Sequence, residues 1–201
     1  DLPRSSRYEG WVGFFTDDLK QSLCSFRNDE VIEDGAVRRL FAQVAGLGPV
    51  EAMLFVDSMF YLPTDLLVKM DITSMANSLE VRSPFLDHHL VEFAAQLPAT
   101  MKVRGLTTKY VLKQAIRRFV PPENLRREKR GFAVPIGLWF RGELREFVQD
   151  MLGSPRFTQR GLFRQTKVEQ LIRSHISGQA DYSHHLWILL MLELWFRRFI
   201  D

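Results

Sequence analysis

The chain has 201 residues, 46% of them hydrophobic and 25% charged, with 27 Lys and Arg set against 24 Asp and Glu. That make-up suits a soluble globular protein with a sizeable core; the length fits one domain and allows two. A formal charge of +3, mixed in sign along the chain, is too mild to argue for nucleic acid or a membrane surface. Cys24 is the single cysteine, which excludes an intrachain disulfide and a thiolate metal cluster and makes a reducing cytoplasm the default compartment. Its plain reading is a small packed side chain.

No charged-then-apolar leader opens the chain, and its first residue is Asp1 rather than methionine, as in a piece of a longer protein. Residues 1–34 lack sustained periodicity, although Thr16 can cap a short helix after it. From Gly35, Ala36, Val37, Leu40, Phe41 and Val44 recur at helical steps until "GLGP" at Gly46–Pro49 stops them, and a second helix is predicted over Val50–Tyr61. Pro63 reads as the start of a third, "TDLLVKMDITSMANSL".

At about 100° per residue, Lys69, Thr73 and Asn77 fall on one stripe of that helix and Asp71, Ser74 and Ser78 on another, nearly opposite. Leu66, Leu67, Met70, Met75 and Leu79 fill the arcs between. A surface helix gathers its polar residues on one face, so this pattern predicts an enclosed helix whose polar side chains look into something. Pro84 disfavours a helical Ser83, so the chain from about Glu80 runs extended. Glu80 and Arg82 then point to the same side, roughly 6 to 7 Å apart at the backbone, able to pair structurally or to share one polar pocket. Asp87 can be the N-cap of "HHLVEFAAQL" or a binding residue.

Farther on, Val111, Leu112, Ala115, Ile116 and Phe119 make an apolar stripe with Lys109, Lys113, Arg117 and Arg118 away from it, and Pro121–Pro122 ends the pattern. "VPPENLRREKRGFAVPIGLW" is too rich in Pro, Gly and basic residues to be a long regular element. "GELREFVQDML", "TKVEQLIRSHI" and the closing "LWILLMLELWFRRFI" have helical spacing. The last is interrupted by Glu193 and ends in Arg197 and Arg198, short of the ~18 uncharged apolar residues of a membrane span, and reads as a buried helix. Without internal repeats or a run of alternating strands, the chain is expected to be mainly α.

The run "YLPTDLLVKMDITSMANSLEVRSPFLDHHLVEFAAQLP", followed in order by "TTKYVLKQAI", "REKRGFAVP" and "LWILLMLELWFRRFID", resembles the C-terminal synthetase domain of glutamine-dependent asparagine synthetases, nearest to the asparagine synthetase-like amidotransferases of bacterial polysaccharide gene clusters. The likeness covers about residues 8–201. It implies an enzyme that adenylates the aspartate side-chain carboxylate with Mg-ATP and lets ammonia, drawn from glutamine, displace AMP. By the same resemblance Glu80 is the general base of the ammonia step and Lys129 stabilises phosphate charge. Lys69, Asp71, Ser74, Arg82, Asp87, Lys109 and Gly131 are expected around substrate and nucleotide. These roles suit the residue types: an attacking amine sheds a proton that a carboxylate accepts, an ammonium neutralises a polyphosphate, and a glycine lets the backbone approach a ligand.

The departure counts equally. The family's Gly-rich S-G-G-x-D-S loop, which holds pyrophosphate on backbone N–H groups, does not occur in these residues, nor does an amino-terminal catalytic cysteine. Residues 1–201 are therefore expected to be the C-terminal part of the synthetase domain, the helical portion of an adenine-nucleotide-binding α/β domain. Its expected partners are the upstream half of the same protein, small-molecule substrates and, as an option, a second copy; nucleic acid and membrane are not expected. Two rivals stand beside this reading: an amide-forming enzyme like the β-lactam synthetases, since nothing selects aspartate, and a helical nucleic-acid or scaffold-binding module using "RREKRG" and the "KQAIRR" face.

Overall fold

In the computed structural model, residues 2–26, 35–127 and 134–201 are described. The chain is mainly α, and among the described residues strand is confined to one two-stranded antiparallel hairpin. It divides into two compact units, Asp1–Glu33 with Gly131–Asp201, and Asp34–Arg130.

The first unit holds α1 (Arg4–Val12), α2 (Asp17–Leu23), α10 (Ile136–Arg141), α11 (Arg145–Gly153), α12 (Pro155–Gln159), α13 (Gln165–Ile176) and α14 (Ser183–Phe199). Its core follows the predicted stripes. In α13, Val168, Leu171, Ile172 and His175 are buried, and in α14, Leu186, Leu189, Leu190 and Glu193 are, each set at steps of three, four and seven residues. Phe140, Val148, Leu152 and Phe157 join the apolar members of both stripes in one cluster. The Thr16 hydroxyl accepts from Leu19 N–H at 3.3 Å and so caps α2, as its position in the sequence predicts. Ser154 does the same for α12, with Pro155 in the first turn. A short ladder ties the amino-terminal segment in: Arg164 N–H donates to Leu23 O at 2.8 Å and Ser25 N–H to Leu162 O at 2.9 Å.

The second unit runs α3 (Ala36–Gln43), α4 (Pro49–Val56), a π-helical stretch (Asp57–Leu67), α5 (Val68–Met75), a 3₁₀ turn (Pro84–Leu86), α6 (His88–Gln96), α7 (Ala99–Lys102), the hairpin β1 (Val103–Arg104) and β2 (Thr107–Thr108), α8 (Tyr110–Ile116) and α9 (Pro122–Arg126). The hairpin register pairs Val103 with Thr108 and Arg104 with Thr107, and Gly105 turns it at φ 57°. Val37, Phe41, Val44, Ala52 and Val56 are its buried apolar residues; from Asp57 to Arg127 no described residue is buried.

Two expectations are corrected here. Pro63 does not start a helix: it lies inside one that is continuous from Pro49 to Met75. A proline lacks the N–H for the ladder and its ring crowds the carbonyl one turn back, and the wider π turn around it accommodates both defects. Nor is α5 enclosed: Met70, Ile72 and Met75 are as open as its polar residues. A helix with two opposed polar stripes needs neighbours on several sides, and the described residues of its unit do not supply them.

Candidate functional site

The last turn of α5 is fastened by its own side chains. The Thr73 hydroxyl donates to Lys69 O at 2.6 Å, Ser74 to Asp71 O at 3.2 Å, and Asn77 Nδ2 to Thr73 O at 2.9 Å. The helix ends when Ser78 takes a left-handed backbone at φ 55°. Beyond it the chain is extended, as Pro84 predicts, with Ser83 at φ −102°, ψ 110°. Glu80 and Arg82 meet: Arg82 Nε donates to Glu80 Oε1 at 2.6 Å, with 86% of the Arg82 side chain and 68% of the Glu80 side chain open. An ion pair this exposed contributes ~0–1 kcal/mol, so stability does not account for it.

The other predicted residues have local partners of their own. Lys69 faces Asp65 at 3.7 Å along the same helix. Asp71 is exposed on α5 one turn before it ends, and Ser74, next to its last residue, is half-buried. Asp87 Oδ1 accepts from His89 N–H at 3.0 Å and Leu90 N–H at 3.3 Å, so it serves as the N-cap of α6, the simpler of its two readings. Lys109 stands at the head of α8, also left-handed at φ 55°. Among the described residues, no ion pair links Asp71, Asp87 or Lys109 to Glu80 or Arg82. Lys129 and Gly131, with the core of the basic segment around them, lie outside the described residues.

Two ionisable groups of the first unit were not among the site candidates read from the sequence, and both are structural. Glu193 is 1% exposed and is gripped from two sides, by Arg160 Nε at 2.7 Å and Arg197 Nε at 2.6 Å, while Arg160 also reaches Asp201 at 2.6 Å. Burial alone would raise the Glu193 carboxyl, but the two guanidiniums outweigh it and hold it below its ordinary range. His175 is fully buried. Its Nδ1 accepts from Tyr182 N–H at 3.2 Å, which leaves Nε2–H to donate to Gly137 O at 3.1 Å, and burial pushes the ring below its usual range. The signal for both was present: each completes an apolar helical stripe at a position where Leu would otherwise stand.

The exposed carboxylate–guanidinium pair thus lies between α5 and α6, on a mainly α unit with few buried residues. Residues 2–197 match the family model described as asparagine synthase, and the chain belongs to that family. A Mycobacterium tuberculosis protein with a provisional asparagine synthetase (glutamine-hydrolyzing) name is 38% identical over the whole of this chain and 30% of its own length. Asparagine synthetase (glutamine-hydrolyzing) 1 of Bacillus subtilis is 31% identical over 96% of this chain and 30% of its own, and the Homo sapiens asparagine synthetase (glutamine-hydrolyzing) 28% over 60% and 24%. The chain thus spans about 30% of the length of the first of these relatives. No solved structure matches.

Proposed function

We propose that this chain is part of an ATP-dependent amide ligase that activates the side-chain carboxylate of aspartate as an acyl-adenylate, which ammonia converts to asparagine. The observation that carries the reading is the Glu80–Arg82 pair, two side chains in contact at 2.6 Å and left open in a run whose neighbours Leu79, Val81 and Phe85 are apolar. Charges that add little stability there are available for chemistry. In the first step an aspartate oxygen bonds to the α-phosphorus and the bond to pyrophosphate breaks, with the Lys129 ammonium neutralising the departing charge. In the second, ammonia bonds to the acyl carbon, the bond to AMP breaks, and the nitrogen's surplus proton passes to Glu80. Arg82 keeps that carboxylate ionised and oriented until the proton arrives.

Lys69, Asp71, Ser74, Asp87 and Lys109 surround substrate and nucleotide in this reading, and Gly131 gives the backbone close approach. Among the described residues no group of three or more His, Cys, Asp or Glu side chains could hold a metal ion; magnesium arrives with ATP, held mainly by the phosphates and water, and asks at most one or two carboxylates of a protein. The open surface from Asp57 to Arg127 is where the upstream part of the protein packs, bringing the pyrophosphate loop; ammonia comes from glutamine cut by an amino-terminal domain, in the cytoplasm. By itself the chain binds ATP at about millimolar or weaker, turns nothing over and self-associates through that surface. The test is Glu80→Gln in the full-length enzyme: aspartate-dependent pyrophosphate release persists while amide formation falls by two or more orders of magnitude. Equal loss of both would assign Glu80 to structure and end the reading.

A further inference from the structure

Among the described residues, two that are not glycine take a left-handed backbone, Ser78 and Lys109. A β-carbon in that region crowds the next carbonyl, and glycine enters it freely. At Ser78 the turn closes α5: Ser78 N–H donates to Met75 O at 2.9 Å and Leu79 N–H reaches back to Ser74 O at 3.0 Å, the six-to-one closure that a left-handed residue makes possible. The chain then leaves extended, and Glu80 is the second residue after the turn.

Glu80 itself has no burial to fix it, and its ion-pair partner Arg82 rides on the same extended strand of chain. Rotating Ser78 out of the left-handed region would break the bond from Leu79 to Ser74 and swing Glu80 and Arg82 together. The Ser78 hydroxyl, by contrast, makes no side-chain hydrogen bond among the described residues, although the neighbouring Thr73, Ser74 and Asn77 all do. We infer that Ser78 is a positioning residue: its backbone turn, not its hydroxyl, sets where the Glu80 carboxylate stands when ammonia attacks. This rests on the reading of Glu80 as the base.

The test compares Ser78→Gly, Ser78→Ala, Ser78→Val and Glu80→Gln in the full-length enzyme, measuring aspartate-dependent pyrophosphate release and amide formation on each. Glycine and alanine keep the turn and should stay within about twofold of the parent in both reactions. Valine, β-branched and ill suited to the left-handed region, should keep pyrophosphate release and lose amide formation about ten- to a hundredfold, since a displacement near 1 Å costs on that order. If Ser78→Val does not fold, Ser78→Thr takes its place with the same expected split. Alanine as damaging as valine would make the hydroxyl the active part; normal amide formation by valine would free Glu80 from the turn; and equal loss of both reactions would leave Ser78 a fold residue only. Each of these overturns the inference. Normal amide formation by Glu80→Gln would instead refute the base assignment, a failure distinct from the others.

Discussion

Glu193→Ala removes the anion on which the buried charges of the first unit converge. Stripping one partner from a buried pair costs about 3 to 5 kcal/mol, because the remaining charge loses its compensation. Here two features pull toward the lower end: Arg160 keeps Asp201 at 2.6 Å, and the Arg160 and Arg197 side chains are 14% and 25% open, enough to recruit water. The expected loss is therefore ~3 kcal/mol, or roughly 12 to 24 °C in the midpoint of a unit this size. All four tryptophans, Trp11, Trp139, Trp187 and Trp195, lie in the first unit, so tryptophan emission during urea or thermal unfolding reports that unit alone. Glu193→Leu should cost less, ~1 kcal/mol, because leucine continues the Leu186–Leu189–Leu190 stripe while the guanidiniums turn outward. A loss under ~1 kcal/mol for alanine, or leucine as costly as alanine, would refute the view that Glu193 neutralises this cluster.

The buried neutral His175 makes the first unit acid-sensitive. With its folded pKa below the unfolded 6.5, the unfolded chain binds more protons, so its stabilisation is complete above pH 6.5 and is lost as the pH falls through the depressed value; His185 acts in the same direction. Tryptophan-detected midpoints should fall from pH 7.5 to 5.5, and His175→Gln with His185→Gln should flatten the slope; an unchanged slope would contradict it. Asp87→Ala should cost about 1 kcal/mol and speed hydrogen exchange at the His89 and Leu90 amides, whereas unchanged exchange would deny the cap. Lys109→Gly should relieve about 1 kcal/mol of left-handed strain, slowing exchange along α8, yet weaken ATP binding by the full-length enzyme; faster exchange would show that the lysine side chain holds the helix.

Helices α2, α11, α13 and α14 of the first unit were legible, the last three because its core lies within these residues, whereas α10 and α12, of six and five residues, are too short to show a period. Val168, Leu171, Ile172 and Leu186, Leu189, Leu190 repeat at helical steps and are buried where the steps put them. α1 was not legible, since Tyr8 is its one buried residue among Arg and Ser and a single apolar contact leaves no period. Pro63 misled because the signal for a helix start is the same proline that, inside a longer helix, accompanies a π turn. The opposed polar stripes of α5 encode neighbours on several sides, and a sequence pattern carries that demand without saying which chain meets it. At the candidate site, the Glu80–Arg82 meeting followed from Pro84 and the two-residue repeat of an extended chain, and Asp87 from its place before an apolar run. The left-handed turn at Ser78 had no sequence signal, because serine is not a residue that announces φ above zero.

The central claim, a carboxylate activated as an adenylate before any amine arrives, is tested most directly by isotope exchange. The full-length enzyme is given ATP, magnesium, labelled pyrophosphate and aspartate, with glutamine and ammonia withheld. Label should enter ATP only when aspartate is present, because the adenylate forms reversibly and waits for its nucleophile, and Glu80→Gln should exchange at a rate near that of the parent. Exchange that needs no aspartate, or that vanishes in Glu80→Gln, would contradict the two-step assignment of these residues.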